Sequence, residues 1–438
     1  MSTTKHNSLQ LRHFNSVTHH QGSDVKKLAI IASLIVGAAG NAPAQDSAFV
    51  KSLRDHAATF TVSNWRMSGP GADSLAAIAR ANQFIMVGED HGIREIPQFV
   101  AALFDRARPA GYTHVAVEIG PLSGAMLETM MNAPNAQQRV DTFLTKYSPY
   151  AFPFFFWKEE SEMLERIVKS VPSVSNVVWG LDQEFMASPT YLLEQLGKEN
   201  LFARGQTAAS RRGDSLLIAQ GNPSQMWMMS STDRDIARLR REFPTGEHRR
   251  IVAKLATSRA IYQAFMSGSG YSSNQTRDDL MKRNFVNAYN TSARTEESPR
   301  AIIKLGANHV FRGPSTTQTY EIGSFVPEFA IQQGNSAFGI LAVVAKGTWN
   351  AYRPIGSKES DKTATYDLLA SSEYKVFDMP SILAATNAHE WTYIDLRPAR
   401  EAFANGKLKL ADETARRLLT SFDAVVVIPE GHAAVYFK

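Results

Sequence analysis

The 438-residue chain contains no cysteine. That excludes disulfides, a lipid-anchored cysteine and thiol catalysis, and it leaves the fold to rely on its core. Long apolar runs are also missing: Leu28 to Gly37 is too short for a membrane span, which needs about 20 residues. No internal repeat or low-complexity tract occurs. No P-loop, Gly-x-Gly-x-x-Gly or Gly-x-Ser-x-Gly elbow follows an apolar run, so nucleotide, dinucleotide and serine-hydrolase readings lose support. Excess charge is small. The formal net charge is +5, but residues 1–44 carry Lys5, Arg12, Lys26 and Lys27 against Asp24 alone, four positive charges to one negative, so +2 remains without them. Such a balance offers no argument for nucleic-acid binding.

The N-terminus reads as a leader. Lys26 and Lys27 precede the apolar stretch Leu28 to Gly37, and Ala42-Pro43-Ala44 supplies small residues before Gln45. This is the pattern of a secretory signal peptide. The polar stretch Met1 to Asp24 is long for an n-region, which points to a true start near Val25. The expectation is a leader over 1–44 with cleavage near Ala44, a periplasmic or secreted protein over 45–438, and no membrane span. Seven histidines remain after the leader: His56, His91, His114, His248, His309, His389 and His432.

Four apolar runs end in groups able to do chemistry. Phe84 to Gly88 delivers Glu89, Asp90 and His91; His114 to Val117 delivers Glu118; Val177 to Leu181 delivers Asp182, Gln183 and Glu184; Ala301 to Gly306 delivers Asn308 and His309. Short apolar runs closed by glycine or a polar group fit strands buried on both faces, and parallel strands bring their carboxyl ends to one rim, where open α/β folds bind ligands. Between them, residues 96–107 and 161–169 carry the helical spacing that βαβ crossovers require. Phe338 to Ala345, Trp391 to Arg397 and Ala424 to Ile428 add strand candidates. Residues 186–300 read as a helical insertion. The expected architecture is α/β: a mostly parallel central sheet flanked by helices, with the insertion as a lid over the strand C-terminal rim.

Several features carry two readings. Glu89 or Asp90 serves either chemistry or the cap of a helix beginning near Ile93. Met226-Trp227-Met228-Met229 fits an adaptable pocket lining or, more simply, helix packing. The aromatic run Ser148 to Trp157, interrupted by prolines, walls a pocket for a bulky apolar substrate or plugs the core. Gly213-Asp214-Ser215-Leu216 spells a lipase signature in the wrong context, with no strand before it and no Asp-x-x-His later in the chain. It reads as chance.

Gly88-Glu89-Asp90-His91-Gly92 with Glu95, Glu118, Arg277-Asp278-Asp279-Leu280-Met281 with Asn284, and Gly306-Ala307-Asn308-His309 together resemble the erythromycin esterase-like proteins, in the wider group that includes ChaN-like haem-binding proteins and Tiki proteases. Asp395-Leu396-Arg397 and Phe422-Asp423-Ala424 resemble that family's late segments. The resemblance runs through most of the chain after the leader. It implies hydrolysis of a small-molecule ester or lactone by histidine-activated water, with His91 as base, His309 as partner, Glu89 and Glu118 as supporting carboxylates, and Arg277 for an oxyanion or a substrate carboxylate. The first motif departs from the esterases, which carry two residues where this chain has Asp90 alone, and an arginine they carry beyond that motif is missing near Val100, with Arg94 the nearest substitute. The shorter spacing is closer to the ChaN-like and Tiki branch. It keeps open a divalent metal on Glu89, His91, Glu118 and His309, or a haem with His91 or His309 as axial ligand. The sequence sets no oligomeric state.

Overall fold

The computed structural model describes residues 47–437 except 149, 199, 221–222, 351–362 and 373. The expected leader, its cleavage site near Ala44 and the start near Val25 lie outside the described residues.

Ten strands form one sheet: β1 (Ala57–Ser63), β2 (Arg66–Ser68), β3 (Phe84–Glu89), β4 (Tyr112–Val117), β5 (Val178–Gly180), β6 (Arg300–Gly306), β7 (Ala337–Asn350), β8 (Thr363–Asp367), β9 (Trp391–Asp395) and β10 (Ala424–Gly431). Their order is β2-β1-β9-β10-β7-β3-β6-β4-β5, with β8 pairing β7. The stretch from β10 through β5 is parallel throughout, and antiparallel pairs join β1, β2, β8 and β9 to it. The expected α/β architecture with a mostly parallel, helix-flanked sheet is therefore present. β1, β2 and β8 are additions that the sequence reading did not include.

All six residues of β3 are buried. Alternation sends Ile85 and Val87 into one apolar cluster and Phe84 and Met86 into the other. Burial on both faces is why this strand reads as a continuous apolar run and not as an alternating one. The chain leaves β3 for β4 and β5, then returns to place β6 between β3 and β4. The carboxyl ends of β3, β6 and β4 consequently sit side by side.

Between β5 and β6 the chain is helical, through Pro189–Gly197, Leu201–Gln220, Trp227–Ser230, Asp233–Glu242, Gly246–Met266 and Gly270–Ser292. Met226, Trp227 and Met228 are buried in the larger apolar cluster, so packing accounts for them. Gly213 to Leu216 fall inside the helix Leu201–Gln220, where buried Asp214 accepts a hydrogen bond from Thr190 Oγ1 at 2.6 Å. A helix interior offers no nucleophile elbow.

Candidate functional site

Glu89, His91, Glu118, Arg277 and His309 meet at the C-terminal rim. Glu89 ends β3 beside Gly306, the end of β6. Two residues on, His91 turns back so that its Nδ1 lies 3.0 Å from Glu89 Oε1 and its Nε2 3.5 Å from Glu118 Oε2. The turn depends on Gly92, whose φ is +85° and where a Cβ would sit 2.2 Å from the Asn350 carbonyl oxygen. Glu118 follows β4. Its Oε2 accepts from the Gly306 backbone N–H at 2.8 Å, and its Oε1 accepts from Arg277 Nη2 at 2.8 Å and lies 3.3 Å from His309 Nε2. A Cβ at Gly306 would meet His91 Nε2 at 2.9 Å, so this strand end must be glycine for the imidazole to reach Glu118.

Arg277 comes from the helix Gly270–Ser292. Its guanidinium forks onto Asp182, Nε to Oδ1 at 2.8 Å and Nη2 to Oδ2 at 2.6 Å. The geometry thus binds Arg277 to two protein carboxylates and makes it a brace for Glu118. Asp90 is not a helix cap: the next helix is Glu95–Ala107, with Arg94 before it, and Asp90 accepts from the Tyr366 hydroxyl. Glu95 accepts from the His432 backbone N–H at 2.8 Å and pairs with the His432 ring.

Sequence reasoning missed three further participants, Lys304, Glu160 and Glu321, and named Phe154 only as part of the aromatic run. Lys304, in the middle of β6, is buried and reaches both Glu89 and Glu160, the latter at 2.8 Å. Glu321 lies 2.9 Å from His309 Nδ1 and accepts from the hydroxyls of Ser315 at 3.1 Å, Thr319 at 3.0 Å and Thr317 at 3.3 Å. Phe154 stacks on His91, with ring centroids 3.9 Å apart and planes 19° apart. A lysine inside the apolar run Ala301 to Gly306 was the one legible signal, since a charge buried in a central strand must find partners.

Glu89, His91, Glu118, Glu160, Phe154 and Lys304 line a small pocket with room for about one water molecule, far less than a drug-sized ligand needs. The aromatic run is mainly core: Phe152, Phe156 and Trp157 pack in the larger apolar cluster, and Phe154 and Phe155 also line this pocket, which has no room for a bulky apolar substrate.

Phe154 occupies an unusual backbone state. Its φ is +68°, and the Phe155 N–H donates to the Pro153 carbonyl at 2.8 Å across it, the signature of the positive-φ γ-turn. For a bulky side chain that state costs about 1–3 kcal/mol and survives only where the surroundings enforce it.

Burial opposes charge on every one of these groups, and their partners decide the outcome. For His91 burial favours the neutral ring, but Glu118 and Glu89 override it and push the imidazole up to about 10. For His309 the same opposition is overcome by Glu118 and Glu321, which hold it well above the usual histidine range. Burial raises Glu118, yet His309 and His91 bring it well below the carboxylate norm. Glu89 is likewise lowered, against burial, by Lys304 and His91. Glu160 goes the other way: burial, reinforced by Glu89, lifts it to about 7 despite Lys304. Both shifts favour the cationic form of the two imidazoles that share Glu118.

Among the described residues, Asp278, His309 and Glu321 form a buried group whose ligand atoms all lie within 4.8 Å of one another. This is a different set from the quartet expected from the sequence, in which Glu89 sits behind His91 on Nδ1 while both Nε2 atoms face Glu118. Asp278 is raised to about 8, by burial and by Glu321. The trio as it stands fits a shared proton, and a divalent cation would enter by displacing the protons of Asp278 and His309. If it did, those three residues would hold it, and it would supply Lewis acidity beside Glu118.

No family profile and no curated protein sequence matches this chain. Solved structures do. A mutant erythromycin esterase in its open conformation superposes with a TM-score of 0.58 at 14% identity, covering 87% of this chain and 99% of that one. A Bacillus cereus protein gives 0.57 at 16% identity over 88% and 98%, and a succinoglycan biosynthesis protein 0.55 at 15% identity over 89% and 98%. At such identities the likeness is one of fold, extending over nearly the whole length of each neighbour.

Proposed function

We propose that the protein hydrolyses carboxylic ester or lactone bonds, with His91 and His309 working across Glu118. The observation that carries this reading is the pair of imidazoles whose Nε2 atoms approach the two oxygens of the same carboxylate, at 3.5 and 3.3 Å. The fold shared with an erythromycin esterase is consistent with it. In this scheme His91, once neutral, takes a proton from water, and His309, still cationic, protonates the departing alkoxide. Each such transfer contributes about 10²–10⁴ in rate. Glu89 and Glu321 fix the ring tautomers from behind. Since His91 is pushed up to about 10, only roughly one molecule in a thousand holds it neutral at pH 7. Hydrolysis should therefore accelerate with pH toward that value.

A screen of lactones, simple esters and peptides, run with and without chelator, tests the proposal. His91→Ala and His309→Ala should each lose at least a hundredfold in hydrolysis; full activity in either variant sinks the assignment. Loss of wild-type activity in chelator would instead favour a metal-dependent hydrolase built on Asp278, His309 and Glu321. The haem alternative draws no support from the geometry, because both Nε2 atoms already face Glu118.

Export belongs to the same proposal, on the strength of Lys26, Lys27, Leu28 to Gly37 and Ala42 to Ala44. An N-terminus far from Gln45 in the recovered protein would remove it. Among the described residues no helix is long and apolar enough to cross a membrane.

A further inference from the structure

His91 is not held by charges alone. The strained γ-turn at Phe154 aims an aromatic ring flat against the imidazole, at 3.9 Å between centroids. Glycine would adopt that backbone freely, so a phenylalanine there is informative: strain of this kind persists where the surroundings over-determine it and concentrates at functional sites. The segment after β10 supplies the constraint, and it grips both partners of the stack. On the His91 side, Ala434 N–H donates to the Gly92 carbonyl at 2.9 Å, Arg94 N–H donates to the His432 carbonyl at 3.0 Å, and Ile93 bridges Ala433. On the Phe154 side, Lys158 N–H donates to the Val435 carbonyl at 2.7 Å, Phe437 N–H donates to the Phe156 carbonyl at 3.1 Å, and Tyr436 stacks on Phe156 at 5.6 Å.

We propose that Phe154 is a positioning residue for His91, clamped by the segment His432 to Phe437, which fixes the plane of the imidazole with Nε2 toward Glu118 and favours its cationic form through the ring face. The catalytic consequence rests on the hydrolase reading; the clamp itself does not. The titratable groups around His91 are Glu89 at the end of β3 and the adjacent Asp90, Glu118 after β4, Lys304 on β6 and Glu160 on the helix Lys158–Ser170, with His309 and Arg277 beyond Glu118. Phe154 is uncharged and comes from a separate loop, so its share of the His91 titration can be isolated. Plain core packing makes a different demand, because any apolar side chain of similar volume would satisfy it.

The test uses the full chain and three variants, with the His91 ring titrated by NMR. Phe154→Leu keeps apolar bulk and removes the π face; it should lower the His91 midpoint by roughly 0.5–1 unit, the size expected of a partly desolvated cation over an aromatic ring. The pH at which hydrolysis levels off should fall by the same amount, and at that plateau kcat should drop about tenfold through the misoriented ring, with KM nearly unchanged. Phe154→Trp should restore the midpoint. An unchanged midpoint in a folded Phe154→Leu protein, or identical behaviour of the Leu and Trp variants, overturns the proposal. If Phe154→Leu does not fold, Tyr436→Ala leaves both stacked rings in place and loosens only the clamp. It must then lower the midpoint too, and an unmoved midpoint also overturns the proposal. A shifted midpoint in a protein that hydrolyses none of the screened esters would keep the positioning role and discard the hydrolase reading.

Discussion

The two histidine arms of the site are built alike at their tips and differently at their roots. Each imidazole turns Nε2 to Glu118 and is backed on Nδ1 by a carboxylate, Glu89 for His91 and Glu321 for His309. Behind Glu89 stands a full cation, the buried Lys304, shared with Glu160. Behind Glu321 stand the neutral hydroxyls of Ser315, Thr317 and Thr319 and the carboxyl of Asp278, itself raised to about 8. A cation takes up part of the carboxylate's field, while hydroxyl dipoles support the anion without cancelling its charge. The two rings thus share an acceptor but answer to different supports. This asymmetry suits the assignment of His91 as the ring that gives up its proton first and His309 as the one that keeps it.

Glu118→Gln should have the largest effect, because it touches both arms at once. Both NMR midpoints should fall toward the unperturbed histidine value of about 6.5, and hydrolysis should drop by about 10²–10⁴. If only one midpoint moves, the shared-acceptor picture fails for the other arm. A smaller effect separates the roots. Lys304→Met strands a buried carboxylate pair and should cost about 3–5 kcal/mol in denaturant unfolding, the range for a broken buried ion pair. Ser315→Ala removes one of three hydroxyl donors and should cost about 0.5–1.5 kcal/mol. Equal costs would mean that the cation and the hydroxyls are interchangeable supports.

A further effect is on stability across pH. The folded pKa of His91 lies above its unfolded value, so its contribution to stability is complete below about pH 6.5 and is lost as pH rises through about 10. Burial of Asp278, raised to about 8, acts in the same direction, since ionising it disfavours the folded state. Unfolding free energy should therefore decline from neutral to alkaline pH, and the decline should be shallower in Glu118→Gln. A flat profile between pH 6.5 and 10 would contradict the direction assigned to His91.

Much of this was legible in the chain. The apolar runs before Glu89, Glu118, Asp182 and His309 identified the parallel strands because strands buried on both faces leave a period-free signature. The short antiparallel strands β1, β2 and β8 were not, since their exposed and half-buried residues alternate weakly over three to seven positions. Arg277 was placed at the site, but its fork onto Asp182 was not, because nothing in the spacing of residues 182 and 277 says that they touch. Glu321 left no trace either. It follows a run of serine and threonine that looks like any polar loop until those hydroxyls are seen converging on one carboxylate.

Composition and pattern by themselves determined that the chain has no thiol chemistry, that its sheet is largely parallel, and that ionisable groups stand at several strand ends. Hydrophobic periodicity and strand-end position are local properties, so sequence alone can express them. Tertiary structure decided which of those groups share a proton, a cation or an aromatic face. Lys304 meets Glu160 across 144 residues and Arg277 meets Glu118 across 159. Phe154 covers His91 only because the segment His432 to Phe437 ties their loops together. The nonapeptide Phe84 to Gly92 presents a histidine; burial, and the long-range partners that burial demands, set its charge.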